Sequence, residues 1–112
     1  MEKAVDLTDA DFEKTVQGWS VAILDFWVTD CQPCRVIAPM MEEIAKNYAG
    51  KVFVGKIRAD ENPKAVGYFS VTSAPTILIM KDGCEVDRIT LQNIDKSRPK
   101  EYIEERLKQH LA

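Results

Sequence analysis

The chain has 112 residues, 46% of them apolar, with five glycines, five prolines and three cysteines. This length suits a single domain, residues 1–112, with its own core, and the low Gly, Pro and Cys contents exclude collagen-like, disordered and disulfide-scaffold classes. The net charge of −3 argues against a nucleic-acid partner. No apolar run approaches the ~20 residues of a membrane span. Because residues 1–6 lack a basic segment followed by an apolar one, we expect no secretory signal and a cytoplasmic protein.

The first half of the sequence predicts two strands and two helices. Residues 3–7 form a weak strand, and Thr8 is the predicted N-cap of a helix that ends at Gly18. Residues 21–28 are nearly all apolar, which is typical of a strand buried on both faces. From about residue 34 to 48, apolar side chains recur at helical spacing, and Gly50 closes the helix. The apolar residues expected to face inward on these helices are Phe12, Val16, Trp19, Val36, Ile37, Met40, Met41, Ile44 and Tyr48.

The second half continues the alternation and ends in a hairpin and a helix. Residues 51–57 predict a second buried strand, and Asn62 with Pro63 supplies the cap and first turn of a short helix. Residues 76–80 and 85–91 form a hairpin around the turn at residues 81–83. The last helix covers about residues 99–110. Its expected inward residues are Tyr102, Ile103, Leu107 and Leu111.

Strands that alternate with helices favour parallel pairing through right-handed crossovers, and the final hairpin adds antiparallel strands. We therefore predict an α/β domain with a central mixed sheet that helices flank on both faces.

Cys31 and Cys34 lie where the buried strand ends and the longest helix begins. Free N–H groups and the helix dipole at such an end favour the thiolate of Cys31. Cys34 follows one turn later, with Cβ atoms about 5–6 Å apart, and a disulfide needs about 3.8 Å. The pair can therefore close with a modest adjustment, and Pro33 supplies the fixed φ of a first helical turn.

Other roles for the two cysteines are less consistent with the sequence. Buried structural thiols do not fit well with polar Asp30 and Gln32 beside them. A zinc site needs four ligands, and the remaining candidates, Cys84 and His110, are isolated, so we expect no metal. Haem attachment is excluded because position 35 is Arg rather than His.

The chain resembles the thioredoxin family over nearly its whole length. The resemblance rests on residues 25–27 (DFW), residues 31–35 (CQPCR), Lys56 with Asp60, and residues 74–76 (APT) ahead of an apolar strand and a KDG turn. It implies the thioredoxin fold and a small dithiol–disulfide oxidoreductase that reduces disulfides in client proteins. It also implies no bound cofactor, with electrons supplied by an NADPH-dependent flavoenzyme reductase. We expect a monomer.

The same resemblance implies roles for several residues. Cys31 would attack the client disulfide, and Cys34 would resolve the mixed disulfide. Pro75 would follow a cis peptide bond, and the backbone of Ala74 would pair with the client chain. Trp27 would pack beside the active-site turn, although a core aromatic would explain it equally.

Asp25 and Lys56 interrupt otherwise apolar strands. A carboxyl desolvated in this way has a raised pKa and could accept the proton of Cys34. The alternative for Asp25 is an acid on the solvent-facing side of a strand. Lys56 is the expected charge partner of Asp25 across adjacent strands, and its alternative is a solvated lysine.

Three residues depart from the family pattern. Asp30 and Gln32 stand where Trp and Gly are common, and Leu91 stands where a glycine is usual. Asp30 either disfavours the thiolate of Cys31 or is a solvated helix-cap carboxylate with little effect. These changes bear on client choice, reductase compatibility and redox poise, whereas the retained Pro33 favours a reducing role.

Two other functions remain open. The chain could be a specialised carrier for one dedicated partner, or a non-catalytic binding module in which the cysteines are incidental. Cys84 is expected to be an exposed thiol remote from the pair, and His110 a favourable charge at a helix C-terminus.

Overall fold

The computed structural model describes residues 3–111. Within them the chain forms five strands, four α-helices and one 3₁₀ turn. In chain order these are β1 (Val5–Leu7), α1 (Phe12–Gln17), β2 (Val21–Trp27), α2 (Gln32–Asn47), β3 (Phe53–Arg58), the 3₁₀ turn (Ala59–Glu61), α3 (Pro63–Phe69), β4 (Thr76–Lys81), β5 (Cys84–Thr90) and α4 (Pro99–Gln109).

The strands form one mixed sheet in the order β1-β3-β2-β4-β5. β3 runs parallel to both β1 and β2, whereas β4 is antiparallel to β2 and to β5. The predicted mixed sheet is confirmed, since the first three strands are parallel and the closing hairpin adds the antiparallel strands. The seven residues of α3 rise about 10 Å, roughly half the length of the six-residue β3. The chain accordingly enters β4 at the edge where β2 and β3 end.

Helices cover both faces of the sheet, as predicted, because side chains alternate along each strand. Ile23 and Val54 face α2 and α4, while Leu24, Phe26 and Ile57 face α1 and α3. Two buried clusters result, one on each side of the central strand. Of the residues expected to face inward on α4, Ile103 and Leu107 are fully buried, and Tyr102 and Leu111 pack against the first cluster.

α2 begins two residues earlier than predicted, and this changes which side chains it buries. Its buried stripe comprises Cys34, Ile37, Met41, Ile44 and Ala45. Val36, expected to face inward, lies outside this stripe and is 48% exposed. Met40 is only partly buried. Pro39 lies inside the helix and has no N–H to donate to the carbonyl one turn earlier.

α1 begins later than predicted, at Phe12. Thr8 and Asp11 instead close a turn ahead of the helix: the Asp11 carboxylate accepts the Thr8 N–H at 2.7 Å, and the Thr8 hydroxyl accepts the Ala10 N–H at 3.3 Å. Gly18 is the C-cap, as predicted. Trp19 lies beyond the helix and packs on Phe53, with ring centroids 5.6 Å apart.

The N-terminus of α3 is capped from a distant part of the chain. Asn62 occupies the cap position, but its side chain does not cap the helix. The Asp9 carboxylate instead accepts the N–H groups of Lys64 at 3.0 Å and Ala65 at 2.8 Å. The Asn62 side chain accepts the Asp9 N–H at 2.9 Å. Asp9 and the start of α3 therefore each accept hydrogen bonds from the other.

The C-terminus of α4 is fastened to β5 by Asp87. Arg106 Nε donates to this carboxylate at 2.8 Å, and His110 Nε2 lies 3.2 Å from it. Burial raises the pKa of Asp87, but the hydrogen bonds from Arg106 and His110 outweigh it and lower that pKa. His110 is therefore part of a side-chain contact as well as a charge at the end of a helix.

Within residues 3–111, no helix is long and apolar enough to cross a bilayer. The same part of the chain holds no group of three or more His, Cys, Asp or Glu side chains arranged around a metal ion.

Candidate active site

Cys31 and Cys34 occupy the junction between β2 and α2, at the carboxyl edge of the central strand. Asp30 adopts a left-handed conformation with φ of 56°, and this turn places Cys31 in extended geometry at the N-cap of α2. The two cysteines form a disulfide with Cα atoms 5.2 Å apart. Cys31 is partly exposed, whereas Cys34 is 4% exposed. Only the first sulfur is therefore open to another protein.

The first turn of α2 presents a hydrogen-bond donor to the Cys31 sulfur. The N–H of Cys34 donates to Cys31 Sγ at 3.2 Å. Pro33, in the first turn, has no N–H to leave unsatisfied. When the disulfide is reduced, this donor and the helix dipole stabilise a negative charge on Cys31. The predicted position of Cys31 at a helix N-terminus is confirmed.

The loop before β4 lies against the Cys31 sulfur. Cys31 Sγ is 4.0 Å from the Ala74 carbonyl oxygen, and the Ala74–Pro75 peptide bond is cis, as predicted. Thr76, the next residue, pairs with Phe26 of β2 and with Thr90 of β5. Leu91 follows Thr90 and is partly buried, so it lies at this same end of the sheet.

Asp25 is a buried carboxyl two residues before the end of β2, with 1% of its surface exposed. Burial raises its pKa from 3.8 to about 7, and the charge of Lys56 lowers it in part. Its Oδ1 atom has no hydrogen-bond partner within residues 3–111. The predicted burial is confirmed, and the alternative of a surface acid is wrong. A carboxyl with this pKa is poised to exchange a proton near neutral pH.

Lys56 lies directly across from Asp25 in the register of β2 and β3. Its charge acts on Asp25, as predicted, but its ammonium makes ion pairs with two other acids. Lys56 Nζ is 3.2 Å from Glu42 Oε2 and 3.8 Å from Asp6 Oδ1. Sequence reasoning did not identify Glu42 or Asp6 as part of this arrangement.

A cavity of about 420 Å³ opens beside the buried sulfur, lined by Asp25, Trp27, Cys34, Arg35 and Lys56 among others. The indole Nε1 of Trp27, like Asp25 Oδ1, is buried and has no protein partner within the described residues. A cavity of this size beside two buried polar atoms that lack protein partners has room for water, which would connect Asp25 to solvent. Trp27 therefore lines the site, and its ring packs 5.8 Å from the Arg58 guanidinium.

Two of the residues that depart from the family pattern, Asp30 and Gln32, are exposed beside Cys31. Asp30 is 97% exposed and faces Arg35, with Oδ1 and Nη2 3.7 Å apart. Asp30 is solvated, as one of the two alternatives predicted, but it does not cap the helix, because Cys31 is the N-cap. An exposed ion pair of this kind contributes little to stability. Gln32 is exposed as the first residue of α2.

Comparisons with known proteins agree with this geometry. The family model described as Thioredoxin matches residues 3–109. A thioredoxin of Staphylococcus aureus is 42% identical over 107 residues, which cover 96% of this chain and 97% of that protein. The thioredoxin of Staphylococcus aureus strain COL gives the same values. Among solved structures, a mutant thioredoxin from Halobacterium salinarum NRC-1 matches with a TM-score of 0.83 and 20% identity, covering 98% of this chain and 92% of that one.

Proposed function

This chain belongs to the thioredoxin family of thiol–disulfide oxidoreductases, and we propose that it reduces disulfides in client proteins with Cys31 as the attacking thiolate. One observation carries the proposal: a partly exposed sulfur at a helix N-terminus is joined to a buried sulfur one turn later. This asymmetry suits exchange with a second protein, because one sulfur is accessible and the other is protected from competing partners.

The proposed cycle passes two electrons from the dithiol to the client. The Cys31 thiolate attacks one sulfur of the client disulfide, and the other client sulfur leaves as a thiolate that takes a proton from water. The Cys34 thiol then gives its proton to Asp25 and attacks Cys31 Sγ. The second client sulfur leaves as a thiolate, and the Cys31–Cys34 disulfide is the oxidised product.

The environment of Asp25 supports its role as the proton acceptor. Burial holds its pKa at about 7, which is close to the value that general base catalysis favours at neutral pH. Asp25 and Cys34 line the same cavity, so the proton can pass through water. Lys56 is the proposed modulator of this carboxyl, because its charge offsets part of the effect of burial.

Client binding is proposed at the rim around Cys31. The contact between Cys31 and the Ala74 carbonyl supports pairing of the residue 74 backbone with an extended client segment, as in strand addition. The other proposed client contacts form the surroundings of the pair: Trp27, Asp30, Gln32, Pro33, Pro75 and Leu91.

The electron donor we propose is an NADPH-dependent flavoenzyme reductase, so that the chain itself carries no cofactor and acts as a monomer. We also propose a cytoplasmic location. The exposed free thiol of Cys84 supports a reducing compartment, since disulfides form and persist in oxidising ones.

Insulin reduction tests the proposed function. The wild-type protein is expected to accelerate the precipitation of insulin by dithiothreitol, because the dithiol shuttles electrons to the insulin disulfides. The control is the reduced protein after alkylation of its thiols, which should leave only the dithiothreitol background. No acceleration by the wild type contradicts the proposal. Replacement of dithiothreitol by NADPH with a thioredoxin reductase then separates a general carrier from one with a dedicated donor.

Replacement of Asp25 by Asn should slow the resolution of mixed disulfides. At about pH 7 we expect a loss of roughly 100-fold, because the Cys34 proton no longer has a positioned acceptor. The difference in resolution rate between the wild type and the variant should become smaller toward about pH 9, where the Cys34 thiol ionises without a base. The measurement is stopped-flow release of thionitrobenzoate from a mixed disulfide with Cys31. Alkylation of Cys31 serves as the internal control and should change much less. Equal resolution rates from about pH 6 to about pH 9 would remove Asp25 from the mechanism.

A further inference from the structure

We infer that Glu42 is a positioning residue of this active site, which holds the Lys56 ammonium away from Asp25 and so preserves the basicity of the Asp25 carboxyl. The inference rests on the proposed role of Asp25 as the proton acceptor. It concerns a residue that touches neither cysteine and that acts through Lys56.

Both oxygens of Glu42 are engaged. Oε1 accepts the N–H of Ala4 at 2.9 Å, and Oε2 accepts from Lys56 Nζ at 3.2 Å. Glu42 therefore bridges α2 to the segment that leads into β1 and to β3. Burial raises the pKa of Glu42, but the hydrogen bonds from Ala4 and Lys56, together with the Lys56 charge, lower it overall. The carboxylate is thus held in the charged form that binds the ammonium.

The Lys56 ammonium is directed to acids other than Asp25. Its second ion pair is with Asp6 Oδ1 at 3.8 Å, and Asp6 is the register partner of Lys56 on the β1 side. Asp25 is the register partner on the β2 side, yet its Oδ1 has no hydrogen-bond partner within residues 3–111. The ammonium therefore lies opposite an unsatisfied carboxyl but makes its bonds elsewhere.

The pairing of Lys56 with Glu42 and Asp6 matters for Asp25, because an opposite charge at close range lowers a carboxyl pKa by about 1–3 units. In the present arrangement burial outweighs the charge of Lys56, and the Asp25 pKa stays at about 7. A lysine released to bond Asp25 directly would favour the carboxylate and weaken it as a base.

The other described groups around Asp25 do not offer a second explanation for its pKa. From the loop and α2, Asp30 and Arg35 line the cavity and pair with each other at 3.7 Å. Cys34, also on α2, is in the disulfide of the oxidised protein. From β4 the register partner is the apolar Ile77. Within residues 3–111, the charges that can be redistributed are therefore those of Lys56 and its two acids, together with Lys3, whose charge also acts on Glu42.

The test is the variant Glu42→Gln in the oxidised full-length protein. Glutamine keeps an oxygen for the Ala4 N–H but removes the charge that binds Lys56. The Asp25 side-chain carboxyl carbon is titrated by NMR in wild type and variant. We expect the midpoint to fall by about one pH unit from the wild-type value. In Lys56→Met, which removes the ammonium altogether, the midpoint should instead rise.

Glu43→Gln is the matched control. Glu43 is the next residue of α2, and its Oε1 binds Lys100 at 3.0 Å instead of Lys56. Its replacement removes the same charge from the same helix and should leave the Asp25 midpoint unchanged. Equal shifts in the two variants, or no shift in Glu42→Gln, would overturn the inference.

A double-mutant cycle asks whether Glu42 acts through Lys56. In a Lys56→Met background, Glu42→Gln should lose most of its effect on the midpoint, because no ammonium remains to be released. An undiminished shift there means that Glu42 acts on Asp25 only by its own charge, which contradicts positioning.

Kinetics separate this inference from the proposed function. In Glu42→Gln, the pH profile of mixed-disulfide resolution should move to lower pH with the NMR midpoint, and its plateau should fall about threefold because Asp25 has become a weaker base. If Asp25→Asn resolves mixed disulfides normally while Glu42→Gln still moves the midpoint, the proposed function of Asp25 fails and the positioning by Glu42 stands. If Asp25→Asn is slow as expected, and the Glu42→Gln variant moves the Asp25 midpoint but not the pH profile of resolution, then the positioning has no effect on resolution and the inference about this site fails.

Discussion

Replacement of Cys34 by Ser is expected to convert the protein from a catalyst into a covalent trap. Cys31 remains at the helix N-terminus, so it still attacks a client disulfide. The buried sulfur that would displace the client is gone, so the mixed disulfide persists. We expect close to one client per protein molecule in the covalent complex and turnover at the background level. Non-reducing electrophoresis with mass spectrometry of the adduct measures both.

Two other cysteine variants serve as controls for this result. Cys31→Ser should form no adduct and show no turnover, because the remaining sulfur at position 34 is 4% exposed. Cys84→Ser should behave as the wild type, since Cys84 lies in the β4–β5 hairpin, away from the pair. If Cys31→Ser forms the adduct in equal yield, Cys31 is not the attacking residue. If the adduct is lost in a Cys34→Ser, Cys84→Ser double variant, the attack comes from Cys84. Either result contradicts the prediction.

The second large effect concerns stability and its dependence on pH. Burial raises the pKa of Asp25 from 3.8 to about 7, so between these values the folded protein holds a proton that the unfolded chain releases. Stability linked to this proton is fully present below about pH 4 and is lost as pH rises through about 7. At 1.36 kcal/mol for each pH unit, the loss is about 4 kcal/mol.

Asp25→Asn removes this titration, because the amide stays neutral at every pH. We therefore compare the free energy of unfolding of the variant with that of the wild type at each pH. This difference should be several kcal/mol more favourable to the variant at about pH 9 than at about pH 4. Urea unfolding of both proteins at the two pH values measures the difference, and comparison with the wild type cancels the other titrating groups. Parallel pH dependence in the two proteins would contradict the burial of an ionisable carboxyl at this position.

The parts of the fold that could be predicted from the sequence depend on local pattern. The apolar run of β2 predicts a strand buried on both faces, and Asp25 stands out because it interrupts that run. The position of Cys31 at the start of α2 follows from where the strand pattern stops and the helical pattern begins. The helix pattern also places Ile37 and Ile44 on the inner face. In each case the physical cause lies within a few residues of the feature.

The parts that could not be predicted depend on residues brought together by the tertiary fold. The cap of α3 comes from Asp9, more than fifty residues earlier, while the adjacent Asn62 looks like a sufficient cap in the sequence. Similarly, strand pairing predicts Asp25 as the partner of Lys56 within the sheet. Glu42 could not be predicted in this way, because it lies on a helix that packs on the sheet. The direction of β4 also depends on how far α3 can carry the chain. No short window of sequence contains these distances.

Cys84 provides a practical consequence of this layout. It pairs in register with Lys81, which pairs with Val21 at the start of β2, whereas Cys31 follows the other end of that strand. Seven residues of strand separate the two thiol positions by about 20 Å. Of the three cysteines, all of which lie within residues 3–111, Cys84 is the one outside the disulfide, and it is exposed. A maleimide dye or a solid support can therefore be attached there in a single step, with the opposite end of the sheet left unobstructed for fluorescence or surface-capture measurements.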